Sequence, residues 1–331
     1  MTANSHHTRL TAALGIGLLA SVALSGCGSP GTPSASTPGD SSANSTTSNA
    51  TSASTVTVNG VAVQQNAAAA ALLPAQYKSS IRIVTSAPYP PFESFDANQN
   101  LIGLDIDTGN AIAAVLGTTA NWTSIDYNGV IPALQASKYD MVLASIGDTP
   151  ERESVLDFVD YSKQGQVLVV PAGNPNNISG LKDMCGRVMS VESGDINAGY
   201  FATLDSYCTS KGKPDMTLKE LPKTSDALLA MKAGQADAVY VGVATAADLK
   251  SKPEGAGYDI VTPADKPFGY LPRWVGAGIP KASTQLRDAV AAALKVLIAD
   301  GTLNKLYAKY GQARILTGQV DINKIVAEPL V

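Results

Sequence analysis

Histidine is almost missing from this chain: His6 and His7 are its two, both within the first ten residues. From Thr8 onward there is no imidazole, so a Ser-His-Asp triad, a histidine-activated thiol or a histidine-built metal centre is excluded from the body. Cysteine is nearly as scarce, with only Cys27, Cys185 and Cys208. The last two, without histidine beside them, make a poor zinc site, which wants four ligands. No metal and no cofactor is expected. Charge is also sparse: Asp, Glu, Lys and Arg make up 16% of residues, the net charge is −4, and no Lys/Arg cluster or aromatic–basic interleaving occurs. That pattern argues against nucleic acid as a partner.

What the first residues do contain is a leader-like pattern. Arg9, with His6 and His7, makes a weakly basic start, and Leu10 to Leu24 is an apolar stretch of about fifteen residues. That is short for a membrane-spanning helix. It ends in Leu24-Ser25-Gly26-Cys27, which resembles a bacterial lipobox. Residues 1–27 are therefore expected to be a lipoprotein signal peptide with Cys27 lipidated. The alternative is an ordinary signal peptide with an unrelated cysteine. No second segment is long and apolar enough to span a membrane.

From Gly28 to Asn66 the composition turns to Ser, Thr, Ala, Pro, Gly and Asn, with Asp40 the only charge. A segment with so little apolar surface to bury is predicted to be a disordered tether over 28–66. Within it, Val56 to Val63 alternates weakly, a pattern a strand would show. In an exported chain the even pair Cys185 and Cys208 suggests one disulfide, the alternative being two reduced structural cysteines.

Beyond Ser80, strands and helices alternate. Ile81–Thr85 reads as a β-branched strand and Asp105–Leu116 as a helix stopped by Gly117. A strand near 120–125, a helix around 130–136 and a strand over Met141–Ser145 follow. A second series contains the strand Gln166–Val170, the strand Val188–Val191, a turn at Ser193-Gly194-Asp195 opening a helix, and a helix about Leu228–Met231. Thr224 or Ser225 is expected to cap that last helix and Gly234 to stop it. The strand Ala238–Val241, a helix 246–250 and helices over 286–299 and 303–310 complete the pattern. Two α/β series predict two lobes, with polar groups presented in a crevice beyond the strand ends.

Several short motifs fall in order along this body: Ala87-Pro88-Tyr89-Pro90-Pro91-Phe92-Glu93, Gly103-Leu104-Asp105-Ile106-Asp107, Gly129-Val130-Ile131-Pro132-Ala133-Leu134, Lys138-Tyr139-Asp140, Thr149-Pro150-Glu151-Arg152, Asp157-Phe158-Val159-Asp160-Tyr161 and Asp300-Gly301-Thr302-Leu303. Together they resemble the amino-acid type of extracellular solute-binding protein, family 3, which serves ABC importers. The segment Leu181–Gly186 with Cys208 is similar to an actinobacterial branch in which such a cysteine pair recurs. The resemblance covers about 80–311. It implies an α/β, two-lobed type II periplasmic-binding-protein fold, with two mixed sheets flanked by helices and joined by two crossing strands. Lobe 1 would be 80–162 plus 270–331 and lobe 2 163–265, with crossings near Tyr161–Gly165 and Asp265–Pro272.

The resemblance also implies roles. Arg152 would receive a ligand α-carboxylate, and a guanidinium is a planar fork suited to that job. Tyr89 and Tyr127 would flank the ligand, and Ser145 would add a polar group beside the arginine. The plainer readings are a surface ion pair of Arg152 with Glu151, Glu153 or Asp157, core packing of the two tyrosines, and a solvated strand end at Ser145.

Four positions depart from the family. Gly147 stands where Ser or Thr is common, leaving only a backbone amide. The second-lobe turn is Gly194-Asp195-Ile196 rather than Gly-Thr-Thr. Gly242 stands where an acid commonly takes the α-ammonium, and Ser86 where binders of basic amino acids carry an acid. These changes argue against an arginine or lysine ligand, and Asp195 is the expected substitute acid, its plainer reading being a helix cap. Asp148 reads as a solvated turn acid.

The function implied is that of a non-enzymatic substrate-binding subunit. It would capture a small carboxylate-bearing solute, an amino acid or derivative, by hinge closure. It would work as a monomer with ABC permease and ATPase subunits, anchored to the outer face of the cell membrane through Cys27. The alternatives are a dehydratase-like enzyme on the same fold, using a carboxylate such as Glu93 or Asp195, and a non-transport sensor lipoprotein.

Overall fold

The structure, a computed structural model, describes residues 54–195, 201–262, 266 and 268–325. The leader, Cys27 and most of the expected tether lie outside the described residues, as do residues 196–200 of the helix expected after Asp195.

The tether ends sooner than predicted. Strands β1 (Thr55–Val58) and β2 (Val61–Gln64) form an antiparallel hairpin. Asn59 and Gly60, both at positive φ (43° and 73°), make its two-residue turn. Val58, Val61 and Val63 are buried in the largest core cluster. The boundary at Asn66 is thus corrected to about Ser54. Alternating valines around an Asn-Gly turn outweighed the polar composition that suggested disorder. Asn66 instead caps helix α1 (Ala67–Leu72), its Oδ1 accepting from Ala69 N at 3.0 Å.

Next come β3 (Ile81–Thr85), a small hairpin of β4 (Ser94–Phe95) and β5 (Leu101–Ile102), α2 (Leu104–Leu116), β6 (Ala120–Ser124), α3 (Val130–Gln135), β7 (Met141–Val142) and α4 (Pro150–Glu153). Strand β8 (Leu156–Pro171) is long. It leads to β9 (Val188–Glu192), α5 (Phe201–Ser210), β10 (Thr217–Leu221), α6 (Thr224–Lys232), β11 (Ala238–Gly242), α7 (Val243–Ser251) and β12 (Tyr258–Val261). The chain returns through β13 (Tyr270–Pro280) to α8 (Thr284–Ala299), α9 (Thr302–Lys309) and β14 (Leu316–Ile322).

The strand order is β10-β9-β11-β8-β13-β7-β3-β6, with β12 and β14 added on β8. The outer pairs are parallel, whereas β8 runs antiparallel to β13 and β11. The two expected mixed sheets are therefore joined by hydrogen bonds through β8 and β13 into one path. The Val167–Val170 end of β8 reads as a continuous apolar run because both its faces are covered. Separate cores flank the junction. One is built on α2, α8 and β3, another on Leu168, Met189, Phe201 and Tyr240.

Arg273 pairs with Gln164 and Val275 with Ser162, so the return crossing lies a few residues beyond the expected Asp265–Pro272. Met141–Ser145 is strand only at its first two residues, since Ser145 turns away at φ 48°. Thr224 opens α6 rather than capping it, and its hydroxyl donates to Glu192 Oε2 at 2.8 Å.

Cys185 and Cys208 are bonded, with Cα atoms 5.5 Å apart, tying the segment before β9 to α5. The bridge closes a loop of 23 residues, which on chain entropy stabilises by roughly 3 kcal/mol. A Cys185→Ser/Cys208→Ser variant is expected to melt about 6–12 °C lower by calorimetry. An unchanged midpoint would mean the bond adds nothing to this fold.

Candidate functional site

The segment between β7 and α4 carries the site because α2 and β13 hold its backbone. Ser145 N donates to Asp105 Oδ2 at 2.6 Å, and Asp148 N to Trp274 O at 2.8 Å. Thr149 caps α4, its Oγ1 accepting from Arg152 N at 3.3 Å, with Pro150 in the first turn where no amide donor is needed.

This arrangement turns Arg152 inward, 7% exposed. Its Nη1 donates to Gly147 O at 2.9 Å and its Nη2 to Gly194 O at 3.4 Å, and its guanidinium lies 5.6 Å from the Tyr127 ring centroid. The surface pairing is not formed: Asp157 pairs with Lys281 at 3.0 Å and Arg287 at 2.8 Å instead.

The β9–α5 turn and the start of α7 face this loop from the other half of the molecule. Gly194, at φ 85°, sits so close to Asn128 that a Cβ would fall 3.0 Å from the Asn128 Cα. Lys223 pairs with Asp126 at 2.9 Å, and Gln164 Nε2 donates to Ser145 Oγ at 2.7 Å. Gly242 N donates to Tyr89 Oη at 3.2 Å, and a Cβ on Gly242 would lie 2.8 Å from that oxygen. The tyrosine hydroxyl thus occupies the space an acid at 242 would need. With these contacts made, the two halves stand closed on each other.

Between them lies a cleft of about 620 Å³, its mouth included. Tyr89, Tyr127, Ser145, Gly147, Arg152 and Asp195 all line it, so the structure brings together the six residues singled out from sequence. Ser86 and Glu93, named in the sequence for a departure and for a candidate acid, also line it, and the structure adds Gln164, Gln166, Glu192 and Arg273. Glu93 stood inside a quoted motif and Glu192 stands two residues before Gly194, so both had a sequence signal. Gln164 and Arg273 had none, because their placement follows from the β8–β13 register.

The cleft is rich in buried acceptors. Glu93 is 1% exposed and its Oε2 has no protein partner; Ser86 Oγ and Gln164 Oε1 are likewise buried without one. Burial, with Asp105 beside it, holds the Glu93 carboxyl well above the ordinary range. Burial pushes Asp105 up to about 7, and burial with the charge of Asp195 pushes Glu192 up to about 7 against the Thr224 hydrogen bond. Burial pushes the Tyr127 phenol up to about 12 while Arg152 opposes the shift. Asp195 Oδ2 accepts from Gln166 Nε2 at 3.5 Å.

Asp148 corrects a sequence expectation. It is not solvated but 2% exposed, beneath the Arg152 loop. Burial first, then Asp160 and Glu153, pushes its carboxyl up to about 9. The backbone bond to Trp274, on the crossing strand, draws it under cover. Among the described residues no group of three or more His, Cys, Asp or Glu is placed to hold a metal, and no helix is long and apolar enough to cross a membrane.

Comparison with known proteins agrees with this architecture. A putative ABC transporter arginine-binding protein of Escherichia coli (strain K12) is 28% identical over 243 residues, 72% of this chain and 94% of that protein. An ancestral arginine-binding protein solved with arginine is 32% identical with a TM-score of 0.61, covering 70% of this chain and 97% of that one. An ancestral amino acid-binding protein described as a precursor of cyclohexadienyl dehydratase is 26% identical with a TM-score of 0.58, covering 71% and 96%. Residues 81–313 match the bacterial extracellular solute-binding proteins, family 3, and the chain belongs to that family.

Proposed function

We propose that this protein is the substrate-binding subunit of an ABC importer and captures a small solute bearing a carboxylate, an amino acid or a derivative, by closing on it. The observation that carries the reading is Arg152, a buried guanidinium at a cleft wall, bonded to backbone carbonyls on both sides of the closure. A ligand carboxylate bridging the same fork would favour the closed state, and differential affinity of that kind is what shifts a hinge equilibrium. Glu93, Glu192 and Asp195 then serve the amine end, standing in for the acids absent at Gly242 and Ser86. The lining holds these three carboxyl groups against two arginines. Burial holds Glu93 and Glu192 toward their neutral forms, so the count alone does not select a basic ligand; the relatives described as arginine-binding are what support a basic amino acid as a candidate.

Delivery would be to a permease and its ATPase by the closed monomer, held at the outer membrane face by a lipid on Cys27. The intact mass of membrane-extracted protein reads the lipid directly, and an unmodified Cys27 sinks the anchor.

Isothermal titration of the purified protein with the twenty common L-amino acids and ornithine tests the binding role. One-to-one saturable heat for at least one is expected, and silence across the set contradicts it. Glu93, with its raised carboxyl, favours a second reading, a proton-transferring enzyme. Chromatographic recovery of the bound ligand decides: intact recovery is expected for a binder, and conversion would establish the enzyme.

A further inference from the structure

Beside Gly147, where the family hydroxyl is missing, stands the side chain of Arg273. A Cβ built on Gly147 would lie 3.4 Å from Arg273 Cδ, 3.7 Å from Arg273 Cβ and 3.8 Å from Arg152 Nη1. The stem of one arginine and the head of the other therefore flank a single point in the cleft. Arg273 is 8% exposed, lines the same cleft and sits on β13 opposite Gln164, on the strand pair that joins the two halves. A Cβ at 147 would meet the Arg273 methylenes at ordinary contact distance, so the two positions are direct neighbours in the cleft wall.

We propose that Arg273 is a specificity-determining residue that supplies the second donor to the ligand carboxylate, in place of the hydroxyl lost at Gly147. This rests on the binding role proposed above and deepens it. The Arg273 stem borders the same point as the Arg152 guanidinium, so a carboxylate seated on Arg152 lies within reach of the longer Arg273 side chain. A hydroxyl gives one neutral hydrogen bond, whereas a guanidinium gives a charged fork. The ligand end seated here is therefore an unmodified carboxylate, and amides or esters of the same solute bind more weakly than the acid. Because Arg273 belongs to a crossing strand, it is positioned to meet the carboxylate as the halves close.

The test uses thermal shift and titration on wild type, Arg152→Ala, Arg273→Gln, Arg273→Lys, Arg273→Ala and Gly147→Ser/Arg273→Ala. The probes are the twenty common L-amino acids, ornithine and, for the strongest of them, its carboxamide. Arg273→Gln is expected to weaken the acid by about 10- to 100-fold, the range for losing charged hydrogen bonds, and to change the amide less than about threefold. Arg273→Lys, a charge without the fork, is expected to fall between and serves if the glutamine variant misfolds. Restoring a hydroxyl with Gly147→Ser in the Arg273→Ala background is expected to recover several-fold affinity, which a merely structural arginine would not allow. Wild-type affinity for the acid in both Arg273→Gln and Arg273→Lys, with loss in Arg152→Ala, overturns this inference and leaves the broader reading standing. Equal loss of acid and amide also overturns it. No ligand for the wild-type protein overturns both.

Discussion

Arg152→Ala is expected to abolish measurable capture of the ligand, weakening it by about 100- to 1000-fold. Truncating one partner of a buried, hydrogen-bonded charge pair typically costs 3–5 kcal/mol, because the other charge is left desolvated and unpaired. Here the loss would be compounded, since Arg152 also bonds Gly147 O in its own loop and Gly194 O across the cleft. The substitution therefore removes a ligand contact and a contact of the closed state together. Thermal unfolding of the unliganded variant separates the two. A midpoint close to wild type with binding lost assigns the effect to the site, whereas wild-type affinity in the variant removes Arg152 from recognition. Arg152→Lys is expected to recover only part of the affinity, because a point charge cannot replace the planar fork.

The second large effect is a fall in stability with rising pH. Asp148, Asp160, Asp105 and Glu192 are all held above the ordinary carboxyl value, mainly by burial. A carboxyl whose folded pKa is raised binds its proton more tightly in the folded state. Its stabilising contribution is complete below the unfolded value near 4 and is lost as pH climbs through the folded value. For these groups that window opens above about pH 4 and closes near the upper value of about 9 at Asp148.

Asp148, Asp160 and Glu153 face one another, and neither Asp148 oxygen nor Asp160 Oδ1 finds a donor outside this acidic group, so a second negative charge there is poorly offset. The melting midpoint is therefore expected to drop between pH 5.5 and pH 9. Asp148→Asn keeps the shape and stays neutral, so it is expected to flatten the drop and to melt several degrees above wild type at pH 8.5. Calorimetry across that range checks this, and a midpoint that rises with pH would refute the buried-acid account.

How much of this could be read from sequence depends on whether a residue's position is set locally. Helix α2 was legible because its apolar spacing ends at Gly117, which takes the left-handed conformation at φ 67°. Helix α8 and the apolar run of β8 were legible for similar reasons. Strand β10, Thr217–Leu221, was not, since it mixes Lys and Glu into a half-exposed edge. Strand β14 was missed as well, because its pairing with β8 is a long-range event that its own polar sequence does not announce.

The site divides the same way. Arg152 and Tyr89 are named through the resemblance, which short local motifs, Thr149–Arg152 and Ala87–Glu93, carry. Gln164 and Arg273 reach the cleft only through the pairing of two strands far apart in sequence. Asp148 looked solvated because a turn acid usually is, and the crossing strand above it buries it. Gly147 and Gly242 look like losses in isolation. In the structure Gly242 leaves the space that the Tyr89 hydroxyl uses, and Gly147 stands in contact distance of the Arg273 stem.

The central claim is that the cleft takes a small carboxylate-bearing solute through Arg152. Native mass spectrometry of the protein incubated with an equimolar mixture of the common L-amino acids and ornithine tests it most directly. The expected spectrum shows a one-to-one adduct at the mass of one or a few of them, absent from Arg152→Ala. No adduct with the wild-type protein, or an adduct of equal abundance in the variant, would contradict it.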